Sequence, residues 1–363
     1  MNSNLIAVTN WNDFQKTSRC ILSIIKCVPN NYDILVVDNF SSEQQYSLLL
    51  NFIYKIAKKK KLNFFQYDIF NYKKLNSNKN NNFFLIRSNI NTGCTGGYNI
   101  CYDFSIFSKY KYVARIDNDC VVTPDFLIKL VNFLDQNPLF AGVSSKVCYL
   151  QKKNIIQWVG CLIKNNLKLH RSMRVFKKKS FFKNNATNLF SKNWKGWRYT
   201  DALNGPGSLI RVEILRKTGL ASNDFFFGPE DIELSFRLSK KGKLGVNLES
   251  EIYHEVAQSI KIDLNNNRSY QEFKSYLILI KKIGTFWDKF FGYLLALAKL
   301  FYFLFINFSL FKKLFRAYFD FILKRYGEYD LIINNKNVYN VSTKAKKFLT
   351  LLQSRAHHKN VNK

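Results

Sequence analysis

Tyr112-Val113-Ala114-Arg115-Ile116-Asp117-Asn118-Asp119 is the stretch on which the reading of this chain turns. A short, mainly apolar run closes on two carboxylates, and Thr123-Pro124-Asp125 follows as a turn signal. A run of that length bounded by turn residues predicts a buried strand. Two carboxylates at strand spacing, just past its end, suit a divalent cation. Hard ions such as Mg²⁺ and Mn²⁺ take oxygen ligands and are held by one or two carboxylates together with a substrate's phosphates. An isolated Asp-X-Asp is usually a solvated turn, so the rest of the chain must give this one its meaning.

Three further runs precede it. Leu5-Ile6-Ala7-Val8-Thr9, Ile34-Leu35-Val36-Val37 and Phe83-Phe84-Leu85-Ile86 each read as a buried strand. Between the first two, Cys20, Ile21, Ile24, Ile25 and Cys27 recur at helical spacing over Phe14 to Cys27. Another helix is expected after Asn99, through Ser105. Strands alternating with helices predict a parallel sheet, and in such sheets ligands bind at the carboxyl ends of the strands. Asp38, the loop from Gly93 to Asn99, and Asp117 with Asp119 all fall at such ends and can converge on one crevice.

A chain of 363 residues with 47% hydrophobic content can bury a substantial core. Its net charge of +31 is spread among Asn, Ile and Phe rather than gathered in one recognition element, and no zinc-finger spacing or RNA-binding consensus occurs. The charge therefore implies solubility and attraction to phosphate-rich partners such as anionic lipid, not a nucleic acid partner. The seven cysteines contain no Cys-X-X-Cys pair, which predicts reduced thiols in a cytosolic protein. Met1-Asn2-Ser3-Asn4 lacks the basic-then-apolar order of a signal peptide, so a cytoplasmic catalytic part is expected. Asn71 to Asn82 and Lys177 to Asn193 read as mobile surface loops, Lys58-Lys59-Lys60-Lys61 as a solvated helix end, and Arg355 to Lys363 as a disordered tail.

Four motifs in order carry a resemblance: Val36-Val37-Asp38-Asn39-Phe40-Ser41-Ser42, Asn91-Thr92-Gly93-Cys94-Thr95-Gly96-Gly97-Tyr98-Asn99, Asp117-Asn118-Asp119, and Gly228-Pro229-Glu230-Asp231-Ile232-Glu233-Leu234-Ser235-Phe236-Arg237. Together they resemble the family 2 glycosyltransferases of GT-A fold, in particular the bacterial rhamnosyltransferase-like and galactofuranosyltransferase-like members, over roughly Leu5 to Ser259. The resemblance implies an α/β fold, with a GT-A-type Rossmann-like nucleotide-binding domain at residues 1–283. It also implies a metal-dependent, inverting transfer of a sugar from a UDP- or dTDP-linked donor to a hydroxyl of a bacterial cell-surface glycan or lipid-linked acceptor.

Each motif then takes a role. Asp38 can accept from a uracil or thymine N–H or from a ribose hydroxyl, and the resemblance favours the base; the competing structural reading is a capping Asp before a helix. Asn10-Trp11-Asn12 reproduces the family's ending to its first strand, with Trp11 flanking the base or sitting in the core. Gly96 and Gly97 would let the backbone approach a diphosphate or sugar, with Asn91, Gly93 and Asn99 in the same donor-binding loop. The resemblance makes Asp119 a direct ligand of Mn²⁺ or Mg²⁺, puts Asp117 nearer the ribose and metal-bound water, and completes the metal shell with His254. Asp231 becomes the general base, supported by Glu230, although carboxylates at a helix start are also stabilised by the helix dipole. Arg237 is expected to pack against a carboxylate. Phe225 to Pro229, Trp194-Lys195-Gly196-Trp197 and Asn204-Gly205-Pro206-Gly207 are expected to shape the acceptor side.

From Gly284 to about residue 330 the chain turns aromatic and basic, which predicts helices that lie on an anionic membrane surface, with residues 331–363 as a C-terminal extension. The composition leaves open a spanning or re-entrant segment, which Lys299 disfavours, and an ordinary packed helical subdomain or dimer contact. The protein is then expected on the inner face of the cell membrane, with a homo-oligomer also open. Two other readings remain from residues alone. A sugar-nucleotide nucleotidyltransferase wants a Gly-rich, basic loop after its first strand, where this chain has Thr9-Asn10-Trp11-Asn12. A basic membrane or nucleic-acid binder has no use for Asp117, Asp119, Asp231 and His254 together.

Overall fold

Alternate residues of the first strand point to opposite faces of a sheet, and both sets are apolar. Leu5 and Ala7 enter one core cluster, while Ile6 and Val8 enter another. Leu35 and Val37 against Ile34 and Val36, and Phe84 and Ile86 against Phe83 and Leu85, repeat the division. Burial on both faces is what continuous apolar runs require, and it is the signature of strands covered by helices on each side. The computed structural model describes residues 4–27, 32–72, 81–161, 194–255, 268–336, 338 and 340–356. Of the tracts expected as loops and tail, 73–80, 177–193 and 357–363 lie outside the described residues.

The parallel half of the sheet contains β1 (Asn4–Asn10), β2 (Tyr32–Asp38), β3 (Asn63–Asp68), β4 (Asn82–Arg87) and β5 (Tyr112–Asp117), in the order β3-β4-β2-β1-β5. Every pairing among them is parallel. β6 (Cys120–Val122), β7 (Phe140–Tyr149), β10 (Gly207–Arg211) and β11 (Lys243–His254) extend it as β5-β10-β7-β11-β6. β10 runs antiparallel to both β5 and β7, whereas β7 and β11 are parallel to each other. β8 (Ile156–Trp158) and β9 (Trp197–Tyr199) are short additions to β7 and β11.

Helices α1 (Phe14–Cys27), α2 (Glu43–Lys60) and α4 (Phe126–Gln136) cover one face, and α3 (Gly93–Phe107) the other. α1 buries Cys20, Ile21 and Ile24, the stripe that its spacing predicts. α2 ends on Lys58, Lys59 and Lys60, exposed as expected, with Lys61 as a left-handed cap. Cations there also favour the negative end of the helix dipole. α5 (Val212–Thr218) and α6 (Glu230–Ser239) follow β10.

Beyond the sheet lie α7 (Arg268–Ile283), α8 (Phe286–Ile306) and α9 (Phe308–Ile322). They share one apolar cluster that includes Tyr270 and Leu277 of α7, Ala296 and Leu300 of α8, and Leu314 and Ala317 of α9. The break at 284 expected from composition separates α7 from α8, yet α7 packs with the helices after it. Finally α10 (Glu328–Asn334) and α11 (Val341–Ala356) turn back onto the sheet domain, where Ala345 and Phe348 are buried in the cluster that contains Tyr98 and Ile100 of α3.

Candidate active site

β5 delivers Asp117 at its last residue, and the tight turn through Asn118 and Asp119 leads into β6. β6 pairs antiparallel with β11 so that Cys120 faces His254 across the ladder. That register brings His254 Nε2 to 3.2 Å from Asp119 Oδ1. The other ring nitrogen, Nδ1, is 3.0 Å from Gln157 Oε1, a partner that orients the imidazole. The backbone closes the same corner, since the Glu255 N–H donates to the Asp119 carbonyl at 3.0 Å. Burial disfavours a charged His254, but the hydrogen bond and charge of Asp119 outweigh it, and its pKa is raised.

Asp119, Cys120 and His254 place one ligand atom each within 4.8 Å of one another. Cys120 does not suit a hard cation. Burial, then the charges of Asp119 and Asp117, push its thiol well up, and its S–H lies 3.6 Å from the Pro206 carbonyl oxygen. What remains is a carboxylate, an imidazole and neighbouring Asp117, a donor set that fits Mn²⁺ or Mg²⁺ better than a thiolate-seeking ion.

Asp117 belongs to a second group, centred on Arg115. The Tyr98 hydroxyl donates to Asp117 Oδ1 at 2.5 Å, and Arg115 Nε lies 3.7 Å from the same oxygen. Arg115 stacks its guanidinium 3.7 Å over the Tyr98 ring. Its Nη2 donates to Glu230 Oε1 at 2.9 Å, with both side chains almost wholly buried. Gly205 allows this approach, since a Cβ there would stand 3.0 Å from Arg115 Nη2. Arg115 thus joins the end of β5 to the start of α6, which no argument from the sequence alone had assigned. The signal was a cation inside an otherwise apolar strand, since a buried arginine must find counter-charges.

Glu230 accepts from Arg115 and is approached by the Cys94 thiol at 3.4 Å. Asp231 beside it is half-buried, and one of its oxygens accepts from the Ile232 N–H at 2.8 Å. Burial first, then the charge of Glu230, pushes its pKa up to about 7, against the opposing pull of Arg115. A carboxylate with that value can exchange a proton near neutrality. Arg237 forks onto Glu233 at 2.7 and 2.9 Å and donates to the Thr218 and Leu220 carbonyls, the packing role expected of it.

The predicted donor residues divide into those that face outward and those turned into the loops. Trp11 is 55% exposed, with its ring available for stacking. Asn10 is buried: its amide donates to Asp38 Oδ1 at 2.8 Å and its carbonyl accepts from Thr17 at 2.6 Å. Thr17 accepts in turn from Asn118, so a polar chain links the Asp117–Asp119 turn to Asp38. Asp38 itself is wholly buried, and its second oxygen accepts from the Ser41 N–H at 3.2 Å. Asn99 is also wholly buried, with its amide bonded to both the carbonyl and N–H of Ala221. In this conformation Asp38 and Asn99 hold loops together, because packed loops must satisfy their own polar groups.

Asn91 accepts from the Gly93 N–H at 3.0 Å and exchanges two backbone bonds with the Asn335 side chain, at 2.7 and 2.8 Å. Gly93 has φ +70°, and a Cβ on it would stand 2.1 Å from the Phe226 carbonyl oxygen. Gly97 lies against Thr9, and Gly96 against Thr92 and Phe348 of α11. The close approach that these glycines permit is thus made partly by the chain's own C-terminal helix, which the sequence did not reveal. Among the residues expected to shape the acceptor side, Asn204 has its Nδ2 buried without a hydrogen-bond partner. Trp197 is a correction: it packs on Phe133 and Phe140, and β9 pairs with Gly245 to Asn247, toward the end of β11 away from His254. An aromatic ring found apolar partners there, not a place beside the cleft.

Residues 112–323 match the family described as Glycosyl transferase family group 2. No curated protein matches the chain. Among solved structures, GalNAc-T7 with UDP, GalNAc and Mn²⁺ shares 13% identity at a TM-score of 0.48, over 76% of this chain and 50% of that one. The mannosyltransferase PcManGT from Pyrobaculum calidifontis, in complex with GDP-Man and Mn²⁺, shares 11% identity at a TM-score of 0.48, over 99% of this chain and 88% of its own. TarS 1–349 of S. aureus, in complex with UDP, shares 14% identity at a TM-score of 0.44, over 77% of this chain and 65% of that one. The chain thus spans half the length of the first and just under two thirds of the third.

Proposed function

This chain belongs to glycosyl transferase family group 2, and we propose that it transfers a sugar from a UDP- or dTDP-linked donor to a hydroxyl of a bacterial cell-surface glycan or lipid-linked acceptor, with inversion at the anomeric carbon. The observation that carries this reading is the pairing of Asp231, half-buried and with a pKa pushed up to about 7, with a nearby Asp119–His254 corner through the Glu230–Arg115–Asp117 connection.

A divalent cation held by Asp119 and His254, with Asp117 beside it, would neutralise charge on the donor diphosphate. The chain's own residues do the rest. Asp231 takes the proton of the acceptor hydroxyl as that oxygen bonds to the anomeric carbon, and the bond to the diphosphate oxygen breaks, releasing the nucleoside diphosphate. Removing the proton at the moment of attack contributes about 10²–10⁴-fold. Glu230, fixed by Arg115, keeps a second negative charge next to Asp231 and so favours its protonated state after transfer. One displacement by one nucleophile inverts the centre, and no enzyme nucleophile is required.

Incubation with Mn²⁺ and a panel of nucleotide sugars tests the reading. Release of nucleoside diphosphate with a sugar acceptor is expected; pyrophosphate release would replace it with nucleotidyl transfer. Asp119→Ala should abolish metal-dependent binding of UDP and dTDP in titration calorimetry while leaving the circular dichroism spectrum unchanged. Full Mn²⁺-dependent affinity in both Asp119→Ala and His254→Ala would remove the metal assignment.

A further inference from the structure

Helices α8 and α9 present more apolar surface than the rest of the chain covers. On α8 the buried positions Asp288, Gly292, Ala296 and Leu300 are spaced four apart and form a single narrow stripe. Gly292 makes that stripe a close fit, since a Cβ on it would come within 2.6 Å of the Ile280 side chain on α7. The other sides of α8 carry Phe286, Trp287, Phe290, Phe301 and Phe305, between 53 and 72% exposed. α9 adds Phe308, Phe315, Phe319 and Ile322, between 49 and 56% exposed. A contiguous surface of this kind marks a protein or membrane contact.

We infer that α8 and α9 lie in the plane of an anionic lipid surface, with their aromatic side chains at the boundary of headgroups and acyl chains. Charge selects this occupant over a second copy of the chain. Between Lys281 and Arg325 stand nine Lys or Arg residues and two acidic ones, Asp288 and Asp320. Both carboxylates are buried: Asp288 closes a capping box with Thr285, and Asp320 accepts from the Tyr270 hydroxyl at 2.7 Å. Two such faces pressed together would oppose positive charge to positive charge. Anionic headgroups complement it, and amphipathic basic helices bind lipid in this way.

The same features separate lying from spanning. α8, with 21 residues, is long and apolar enough to cross a membrane. Lys299, however, is exposed two-thirds of the way along it, with its ammonium 5.5 Å from the Phe273 ring of α7. Crossing would carry that ammonium into hydrocarbon and strip the Gly292–Ala296 stripe from α7. Lying flat leaves both in place.

The surface also has a mechanical connection to the cleft. The Ser275 hydroxyl of α7 donates to the Phe227 carbonyl at 3.1 Å, and Lys282 pairs with Asp224 at 2.7 Å. Both contacts grip the segment that leads into Glu230 and Asp231, so lipid docking holds the acceptor side of the cleft at the membrane. This last consequence rests on the transferase reading; the docking itself does not.

The test floats the full chain with vesicles of phosphatidylcholine, with and without phosphatidylglycerol, alongside the double variant Phe301→Glu/Phe305→Glu. Flotation with the anionic vesicles only, reversed by high salt or carbonate and reduced at least tenfold in the double variant, is expected. No flotation, equal flotation of the folded variant, or extraction by detergent alone would overturn the in-plane lipid assignment. So would a dimer in light scattering that the double variant breaks without any vesicle binding. Nucleoside diphosphate release from donor in vesicle-free solution should be the same in both proteins. Flotation without any donor turnover would leave the docking standing and remove the transferase reading.

Discussion

Two buried ion pairs of similar make-up sit in different parts of the molecule. Arg115 and Glu230 meet between β5 and α6; Lys274 and Asp330 meet between α7 and α10. The second is sealed. Lys274 also donates to the Tyr270 hydroxyl at 2.9 Å and the Arg325 carbonyl at 3.2 Å, and desolvation pulls its pKa down while pushing that of Asp330 up. The first opens onto Asp117 and Asp231, two carboxylates that keep some contact with solvent. A buried pair is weak evidence for either stability or chemistry. What distinguishes these two is the neighbourhood: one fixes only packed helices, whereas the other stands beside carboxylates that solvent can reach and that the proposed reaction would use.

The largest expected effect is that of Asp231→Asn, which keeps the side chain's size but removes the base. Transfer should fall by about 10²–10⁴-fold with donor binding retained, as read by steady-state turnover beside calorimetry. Near-normal turnover would reduce the cleft pair to the same status as the helical one.

Arg115→Met and Lys274→Met sharpen the comparison directly. Each strands a buried carboxylate and should destabilise the fold by about 3–5 kcal/mol in chemical denaturation. Only Arg115→Met should also lower turnover per folded molecule, because only it releases Glu230 beside Asp231. Equal turnover losses in the two variants would break the distinction.

The pH dependence is a smaller effect with a fixed sign. The folded state holds the Asp231 proton more tightly than the unfolded chain does, so stability from this group is greatest in acid and is lost as pH rises from about 4 to about 7. Asp231→Asn should therefore gain stability relative to the parent across that window, in denaturant midpoints, while turnover of the parent rises through the same range. A parent curve parallel to that of the variant would show that Asp231 titrates normally. The smallest expected effect is that of Asn335→Ala, which removes the two bonds to the Asn91 backbone. A loss of about 1–3 kcal/mol and a raised KM for donor with little change in kcat are expected.

Four strands of the parallel half, β1, β2, β4 and β5, were legible because they are short apolar runs with turn residues at their ends, and α1 because its stripe keeps helical spacing. β3, Asn63–Asp68, was not, because it mixes polar with aromatic residues and is only partly buried. The order of β10, β7 and β11 was not: their sequences state neither direction nor partner, which long-range pairing decides. Within the site, the structure brings Asp119 to His254, a pairing that the family resemblance implied and the residue types alone did not. Asp38 and Asn99 looked available because polar residues in a loop read as ligand contacts, but whether an amide faces a ligand or its own backbone depends on loops distant in sequence. Arg115 could have been found from its place in an apolar strand. Phe348 could not, since one aromatic in a basic, polar helix does not announce that it will cover Gly96.

The Asn91–Asn335 contact joins positions 244 residues apart, and it has a consequence for the order in which the protein comes into being. A chain made from its N-terminus folds its early parts first, yet this loop at the end of β4 cannot receive its last two hydrogen bonds until residue 335 has left the ribosome. Residues 286–322, which form α8 and α9, emerge before that. On the docking proposed above, the helices that would meet lipid therefore leave the ribosome before the residue that completes the hydrogen bonding of the Asn91 loop.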